Sequence, residues 1–309
     1  MRVLVTGGAG FVGSHIVDEL VRQGHQPIVL DNLSTGRLQN IQPHLKIDAA
    51  TLIEGDILDP STVSHAVANV DVVIHLAALI DHETCLRSPR EAKRVNADGT
   101  LAVLEAARQA SVECFVYASS AAVYGAPSDL PLSEESPTAP ISPYGSSKLA
   151  GEAHCLDYAR KYGMRVACLR YFNIFGPRQT PGQYAGPIMQ FMARLRESKP
   201  PIITGDGEQT RDFVSIRDVV KATLSASTSP RAQGVYNVAT GKETSINQLA
   251  RLMIEIAGNK DTSPIYAPAR DGEIMRSVAD ITKARTELNF TPETDLTADL
   301  SRLWKSQIA

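Results

Sequence analysis

The sequence predicts an α/β protein in which a doubly wound parallel sheet is joined to a smaller mixed α/β lobe at the C-terminal side. Short apolar runs rich in β-branched residues recur in the first half and alternate with longer segments of helical spacing. This alternation is typical of parallel strands covered by helices on both faces. A glycine-rich turn directly after the first run indicates the same class.

The composition limits the possible functions. The chain has 309 residues, enough for one extended or two smaller domains, with 31 basic and 34 acidic residues and a formal net charge of −3. We therefore expect neither a nucleic-acid nor a membrane partner. The N-terminus is too polar for a signal peptide, and the four cysteines contain no CxxC pair. This pattern predicts a cytoplasmic protein with reduced thiols and no metal site.

The first predicted strand, "RVLVT", leads into "GGAGFVG" and then into a helical pattern. Gly8, Gly10 and Gly13 fit a GxGxxG fingerprint, in which glycines allow a tight turn and a close approach of the backbone to a pyrophosphate. Because the motif lies in the first strand–turn–helix unit, we interpret it as a dinucleotide site.

The second predicted strand, "PIVLD", ends at Asp31. A carboxylate here would accept hydrogen bonds from the adenosine ribose and would repel a 2′-phosphate, which favours NAD over NADP. Arg37 lies near enough in sequence to weaken that preference.

A third strand-like run precedes "GDILD", where Asp56 and Ile57 either border the adenine or form an ordinary capped loop. The fourth run, "DVVIHL", continues into Ala77 and Ala78, small residues that suit a backbone lying against a cofactor. We expect His75 to be a packed residue and not a catalytic one.

The fifth run, "CFVYASS", ends with Ser119 and Ser120, and the carboxyl ends of such strands are where ligands bind. The next predicted element is a helix over 143–162, with a serine cap and Pro143 at the first position. On that helix Tyr144 and Lys148 share a face. A hydroxyl, a phenol and an ammonium are therefore expected to converge.

After the sixth run, "RVACLRY", the composition changes: the following stretch is rich in Gly and Pro, and we interpret it as a functional loop. This places a nucleotide-binding domain at 1–171 and a substrate lobe at 172–309. Two later strand-like pieces, "DFVSIRDVV" and "GVYNVAT", predict that 212–240 returns to the first domain. The lobe is then discontinuous.

A series of motifs resembles the extended short-chain dehydrogenase/reductase family, and more narrowly its NAD-dependent nucleotide-sugar epimerases and dehydratases. The motifs are "TGGAGFVGSH", "DNLSTG", "HLAA", "VNADGT", "SSAAVYG", "YGSSK", "LRYFNIFGPRQ", "TRDFVSIRD" and "RDGE", in that order. Their pattern is most similar to the UDP-glucose 4-epimerase type. The resemblance implies a Rossmann-like fold, bound NAD and a UDP-sugar substrate.

The resemblance also implies roles for matching residues. Tyr144 would be the general acid/base, Lys148 would favour its phenolate, and Ser120 would hold the same sugar oxygen. Asn96 either serves the cofactor side or only satisfies a buried helix. The implied cofactor-binding residues are Gly7, Gly10, Phe11, Val12, Asp31, Asn32, Ser34, Thr35, Gly36, Asp56, Ile57, Leu76, Ala77, Ala78, Asn96, Tyr144 and Lys148.

On the substrate side, besides Ser120 and Tyr144, the resemblance assigns Asn173 to the nucleotide sugar. Arg211 and Arg270 are assigned to its pyrophosphate, although surface ion pairs would also explain both arginines. Glu273 stands where the family usually has an Asp toward the ribose. Ser277 is small, which would leave room for an N-acetyl group, or it is an ordinary loop serine.

The implied reaction is inversion at C4 of a UDP-sugar through a 4-keto intermediate. The related dehydratases and decarboxylases carry an acid after the catalytic serine or threonine, where this chain has Ala121 and Ala122. A reductase or dehydrogenase, an epimerase acting at another position and a non-catalytic NAD sensor remain alternatives. The stretch from Asp81 to Glu83 departs from the family, either beside the sugar or in an exposed loop. A homodimer through the helices at 89–110 and 143–162 is also implied.

Overall fold

The fold was determined as a computed structural model that describes residues 1–179, 186–259, 261–269 and 272–306. Arg270, which was predicted to bind the pyrophosphate, lies outside the described residues. The strands are β1 Arg2–Thr6, β2 Gln26–Asp31, β3 Thr51–Glu54, β4 Val72–His75, β5 Cys114–Ser120, β6 Arg165–Tyr171, β7 Asn173–Phe175, β8 Ile202–Thr204, β9 Thr210–Arg211, β10 Phe213–Ser215, β11 Gly234–Val238, β12 Thr244–Ser245 and β13 Ile265–Ala267.

The helices are grouped on both sides of the main sheet and in the C-terminal part. They are α1 Phe11–Arg22, α2 Gln42–Leu45, α3 Pro60–Ala66, α4 His82–Arg87, α5 Pro89–Lys93, α6 Gly99–Gln109, α7 Pro143–Tyr162, α8 Pro187–Arg196, α9 Ile216–Thr228, α10 Ile246–Ile256, α11 Thr282–Glu287 and α12 Leu296–Ser306. Short 3₁₀ turns cover Leu38–Asn40 and Ala121–Val123, and a π-helical turn covers Arg94–Asp98.

The main sheet has the order β11-β6-β5-β4-β1-β2-β3 within the described part of the chain, and every pair in it is parallel. The chain starts in the middle at β1, winds to β3 at one edge and then crosses to β4. One apolar core lies between the sheet and α1 with α9, and a second lies between the sheet and α3, α6 and α7. The predicted doubly wound parallel sheet is confirmed, and the crossover point beside β1 and β4 is where such sheets bind ligands.

A third apolar core lies outside the main sheet, among α8, α10 and α12. Three short two-stranded pairings accompany it: β7 with β10, β8 with β13 and β9 with β12. This part of the structure is the mixed α and β region that the sequence predicts after residue 171.

Three sequence predictions need correction. The piece "DFVSIRDVV" is a strand only over Phe213–Ser215, because the Ser215 side chain accepts a hydrogen bond from the Arg217 backbone and starts α9. The loop predicted after residue 171 contains the short strand β7. The helix predicted over 89–110 is interrupted by the π-helical turn, and such turns frequently occur at functional sites.

Candidate functional site

The glycine turn after β1 is held too closely by its neighbours for any other residue type. Gly7 has φ +69°, and a Cβ on it would lie 2.9 Å from the Ala77 backbone nitrogen. A Cβ on Gly13 would lie 2.2 Å from the Gly7 carbonyl oxygen. Gly10 precedes α1 without a side-chain cap, and Phe11 and Val12 form the first turn. The open backbone and the uncapped helix end fit a dinucleotide pyrophosphate.

The second end of the candidate cofactor site is built around Asp31, the last residue of β2. Asp31 is buried, and its carboxylate accepts hydrogen bonds from the backbone nitrogens of Ala9, at 2.9 Å, and Leu33, at 2.8 Å. A Cβ on Gly36 would lie 2.7 Å from Asp31 Oδ1, so the loop folds tightly over the carboxylate. The glycine turn and the acid are therefore tied together by a hydrogen bond between Ala9 and Asp31. The side chain of Arg37 is exposed.

The loop after Asp31 also meets the end of β3. Asn32 Nδ2 donates to Asp56 Oδ2 at 3.0 Å, and the Asn32 side-chain oxygen accepts from the Ser34 backbone. Asp56 caps its own loop through the Leu58 backbone, while Ile57 is buried. Four of the predicted adenosine-side residues thus lie together, and Thr35 is exposed beside them.

The end of β4 is organised by two buried hydroxyl groups. Thr6 Oγ1 accepts from the backbone nitrogens of Leu76 and Ala77, each at 3.2 Å, and Ala78 follows directly. His75 lies between Thr6 and Thr100, with its ring nitrogens 2.7 and 3.0 Å from their hydroxyls. Burial lowers the pKa of His75 to about 3, so the ring is neutral and serves packing, as the sequence predicted.

Asn96 joins two segments that are distant in sequence. Its Oδ1 accepts from the Leu79 backbone nitrogen at 2.7 Å, and its Nδ2 donates to the Leu79 carbonyl and to Ser147 Oγ, each at 2.9 Å. Both amide hydrogens are thereby used within the protein. Of the two interpretations of Asn96, the geometry favours positioning: it fixes the segment after β4 against the helix of Tyr144 and Lys148.

That helix, α7, begins as its cap residues predict, since the Ser142 side chain accepts from the Gly145 backbone at 3.1 Å. Lys148 is 3% exposed, and its Nζ donates to the Ala118 carbonyl of β5 at 2.8 Å. Ser120 ends β5, and its hydroxyl accepts from the Ala122 backbone. The predicted serine, tyrosine and lysine are therefore carried by two elements in direct contact.

The electrostatics of this set are governed by burial. Burial raises the pKa of Tyr144 to about 12, and a hydrogen bond with Ser120 opposes this shift. Burial lowers the pKa of Lys148 to about 8, and Cys155 and Cys85 act in the opposite direction. Both shifts disfavour the charged forms of these groups, so a phenolate requires added positive charge nearby.

Four of the predicted substrate-side residues, Asn173, Arg211, Glu273 and Ser277, lie in the described residues after β6. The Asn173 backbone nitrogen and its Nδ2 both approach the Asp212 carbonyl, at 3.1 and 3.3 Å. Arg211 donates to two backbone carbonyls, and its guanidinium lies 3.7 Å from Glu273 Oε1. Ser277 is buried. Arg211 and Glu273 are therefore brought together, while the contact of Glu273 with a ribose stays a prediction.

Two features of this region were missed from the sequence. Asp212 is fully buried and accepts hydrogen bonds from the Thr240 backbone and hydroxyl and from the backbones of Gly241 and Ala279, which joins three loops. A buried ion pair between Glu152 and Arg170 lies behind Ser120. The sequence does contain a signal for each feature. Asp212 directly follows the candidate Arg211, and Glu152 lies four residues after Lys148, on the same face of the predicted helix.

The stretch that departs from the family is a helix start in the structure. Asp81 caps α4 by accepting from the Thr84 backbone at 2.7 Å and from its hydroxyl. His82 is exposed, and Glu83 pairs with Arg87. Groups of three or more potential metal ligands are absent from the described ranges, and no helix within them is long and apolar enough to cross a membrane.

Comparisons with known proteins agree with this geometry. Residues 3–239 match the model of the NAD-dependent epimerase/dehydratase family. A putative UDP-glucose 4-epimerase of Methanocaldococcus jannaschii is 41% identical over 97% of this chain and 96% of its own. The UDP-glucose 4-epimerase of Thermotoga maritima, solved with UDP-glucose, superposes with a TM-score of 0.94 at 36% identity, covering 100% and 99% of the two chains.

A further solved relative carries the cofactor. The UDP-glucose 4-epimerase of Thermus thermophilus, in complex with NAD, superposes with a TM-score of 0.89 at 34% identity and covers 99% of this chain and 98% of its own. The family match spans most of the chain, and the relatives span nearly all of it. The chain therefore belongs to the NAD-dependent epimerase/dehydratase family.

Proposed function

We propose that this protein inverts C4 of a UDP-sugar, exchanging UDP-glucose with UDP-galactose, and that its pocket also admits N-acetylated sugars. The proposal rests on the hydrogen bond between Ser120 at the end of β5 and Tyr144 on α7, and on Lys148 of the same helix donating to Ala118 of β5. The two positions after Ser120 are alanines. The named relatives are similar along nearly their full length.

The protein groups have distinct tasks. Tyr144 takes the proton of the C4 hydroxyl and later returns it, and Ser120 holds the same oxygen in place. Burial raises the pKa of Tyr144 to about 12 with Lys148 already on the same helix. We therefore propose that Lys148 and the positive charge of bound NAD together would favour the phenolate. NAD, when bound, supplies the acceptor and then the donor of hydride, so no net oxidation occurs.

The cofactor is NAD, and we propose that it is held by the residues at the ends of β1, β2 and β4. The uncapped N-terminus of α1 with Gly7, Gly10, Phe11 and Val12 would hold the pyrophosphate. Asp31 with Asn32, Ser34, Thr35, Gly36, Asp56 and Ile57 would surround the adenosine. The backbone of Leu76, Ala77 and Ala78 would face the nicotinamide half.

The two alanines after Ser120 favour epimerisation over elimination of water, the other main reaction of the family. Elimination of water needs a proton donor and acceptor, which the related dehydratases place there. Ala121 and Ala122 offer no titratable group in the 3₁₀ turn, and a Cβ on Gly145 would lie 2.5 Å from the Ala122 carbonyl. The helix is packed onto this turn, so a larger side chain pointing inward would disturb the site. Epimerisation needs no acid at these positions.

For the substrate we propose Asn173 at the nucleotide sugar, Arg211 and Arg270 at the pyrophosphate, Glu273 at the ribose and Ser277 at the C2 substituent. A forked guanidinium suits a pyrophosphate, and Arg211 is held by two backbone carbonyls in a fixed direction. Glu273, 3.7 Å away, would hold that arginine until the substrate arrives.

The test is direct. The purified protein is incubated separately with UDP-glucose, UDP-N-acetylglucosamine and UDP-glucuronate without added cofactor, and the anomeric proton signals are followed by NMR. A new C4-epimer signal supports the proposal, and the responding sugar identifies the C2 and C6 groups that fit. Silence in all three tubes after addition of NAD contradicts it and favours the nucleotide-sugar reductase or dehydrogenase reading.

We also propose a two-part organisation, with a nucleotide-binding domain at 1–171 to which 212–240 returns and a substrate lobe in 172–309. Pairing of β11 with β6 and packing of α9 on α1 support it. A cytoplasmic location is proposed because Cys85, Cys114, Cys155 and Cys168 are all free and buried, as in reducing compartments. Fractionation of the native cells would test it.

A further inference from the structure

The buried pair Glu152–Arg170 lies directly behind the catalytic set. Glu152 and Arg170 side chains are 2% and 5% exposed. Arg170 donates to both carboxylate oxygens, from one terminal nitrogen at 2.5 Å and from Nε at 3.1 Å. A forked contact of this kind is the strongest form of protein ion pair, and its burial makes either partner costly to leave alone.

Glu152 continues the face of α7 that carries Tyr144 and Lys148, since the three residues are spaced four apart. Two neighbouring anchors therefore join this face to β5: Lys148 Nζ donates to the Ala118 carbonyl, and Ser119 Oγ donates to Glu152 Oε2 at 2.7 Å. The next residue of β5 is Ser120. Because these two hydrogen bonds reach consecutive residues of β5, they restrict both the translation of α7 along the strand and its rotation about its own axis.

Arg170 extends the clamp to a third element. It lies opposite Ser119 in the register of β5 with β6, and it donates to the Glu134 carbonyl at 3.1 Å. Its guanidinium also lies 4.7 Å from the centre of the Tyr124 ring, in the segment that follows Ser120. The arginine thus joins the carboxylate on α7 to β6 and to the segment that follows Ser120.

We infer that Glu152 and Arg170 are positioning residues for the proposed epimerisation: they set the helix of Tyr144 and Lys148 against Ser120, and Arg170 cancels the Glu152 charge one helical turn from the catalytic ammonium. The inference rests on the proposed function and deepens it. A lone carboxylate there would stabilise the ammonium, and a lone guanidinium would oppose it.

The other titratable groups around Lys148 are His75, Tyr117, Cys85, Cys155 and Tyr144, and the first three of these stay uncharged in the working range. His75 on β4 has a pKa of about 3, and burial raises the pKa of Tyr117 on β5, whose ring lies 5.1 Å from Nζ. Burial also raises the pKa of the Cys85 thiol on α4, and Cys155 on α7 is buried. Tyr144 is the remaining titrating neighbour, so a change at the ion pair should be read most directly at Lys148.

The experiment compares pH profiles of kcat for wild type, Glu152→Gln, Arg170→Met and the double variant. Glu152→Gln leaves an unpaired cation, so the basic limb that reports Lys148 should move to lower pH. Arg170→Met leaves an unpaired carboxylate, so the limb should move to higher pH, each on the order of one pH unit at the effective dielectric of protein interiors. The double variant should return the limb to the wild-type position.

A purely structural role predicts a different result, namely kcat lowered equally at all pH values with the limb unmoved, and this result would overturn the inference. Asp299→Asn is the matched control, because Asp299 is also a buried carboxylate between two arginines but lies in α12. It should lower the unfolding midpoint without moving the pH profile.

Folding is checked by urea unfolding. If Arg170→Met does not fold, Arg170→Lys replaces it; the retained charge should keep the wild-type limb while the lost fork lowers kcat. Glu152→Gln with an unmoved limb would then overturn the inference. An inactive wild type would instead contradict the proposed function. The inference would then be tested without turnover, by following the titration of Lys148 in NMR spectra of lysine-labelled protein, with the signal assigned through Lys148→Met.

Discussion

Tyr144 lies where a phenol is hard to ionise, and this is the central chemical fact at the scale of the residue. Burial holds its pKa at about 12, while burial also lowers the pKa of Lys148 to about 8. At pH 7 in the free chain the phenol is therefore neutral, while Lys148 still carries its proton but loses it more easily than an exposed lysine. Charge arriving with the cofactor and the substrate is what would change their state.

Removal of the Tyr144 hydroxyl tests its role. Tyr144→Phe should lower kcat by about 10²–10⁴-fold, the usual contribution of a general acid/base, while NAD stays bound. Tyr158→Phe is the control on the same helix, since the Tyr158 hydroxyl donates only to Glu105, at 2.9 Å. Turnover of the two variants is measured by proton NMR, and their cofactor content is measured by absorbance. Near wild-type activity in Tyr144→Phe would rule out the assignment.

Ser277 is the residue on which substrate size depends in our proposal. It is buried, so a bulkier side chain must take space from a ligand or a neighbour. Ser277→Tyr should lower kcat/KM for the N-acetylated sugar about tenfold or more relative to the plain sugar, as expected for a pocket that loses room. Ser277→Ala should leave the ratio unchanged. An equal loss for both sugars in Ser277→Tyr would contradict a size gate.

The buried ammonium of Lys148 should lower the free energy of unfolding, because the pKa of this group is about 8 in the folded chain and 10.5 for an exposed lysine. Below pH 8 the ammonium is charged in both states, and its burial costs up to about 3 kcal/mol at about 1.4 kcal/mol per pKa unit. Between pH 8 and 10.5 the folded state releases the proton first, so the cost disappears as pH rises. Lys148→Met should therefore be more stable than wild type at pH 7, with a smaller difference at pH 9.5, by urea unfolding of NAD-free protein. A difference independent of pH would show that burial of the charge is not the cause.

At the scale of the element, α7 is the part on which the site depends. It packs against β5 so closely that a Cβ on Gly151 would lie 2.3 Å from the Tyr117 hydroxyl and 2.8 Å from the Asn96 carbonyl. Asn96 and Ser147 fix the same helix from the side of the π-helical turn. The position of Tyr144 is therefore set by packing along the whole helix.

Gly151→Ala should separate α7 from β5. Alanine favours a helix by about 1 kcal/mol, but overpacking costs about 1–3 kcal/mol, so we expect net destabilisation together with reduced kcat. Gly186→Ala is the control, because no atom of the described residues lies within 4 Å of a Cβ placed on it and its φ is negative. Unfolding midpoints and turnover of the two variants are compared. Wild-type turnover in Gly151→Ala would show that the site tolerates movement of the helix.

At the scale of the whole molecule we expect a homodimer in which two helical segments of each copy form a four-helix bundle. The two segments are α7 and the stretch at 89–110, which runs from α5 through the π-helical turn to α6. These helices pack on each other at the outer side of the second apolar core. Sedimentation at micromolar concentration should give twice the chain mass of 33.3 kDa. A particle of single chain mass would contradict the expectation.

The sequence by itself determined the local features: the parallel strands, the glycine turn, Asp31 at the end of β2 and the start of α7. These follow from hydrophobic period, glycine conformation and capping, which act over a few residues. Arg270 and its predicted contact stay a prediction, since the residue lies outside the described ranges.

Tertiary structure alone decided what depends on segments distant in the chain. Asn96 is a tie between Leu79 and Ser147, Asp212 joins three loops, and Glu152 with Arg170 closes the back of the site. The second half of "DFVSIRDVV" is helical because Ser215 caps it and α1 offers an apolar face. A short apolar run fits either a strand or a helix, and only the surface it packs against settles which forms.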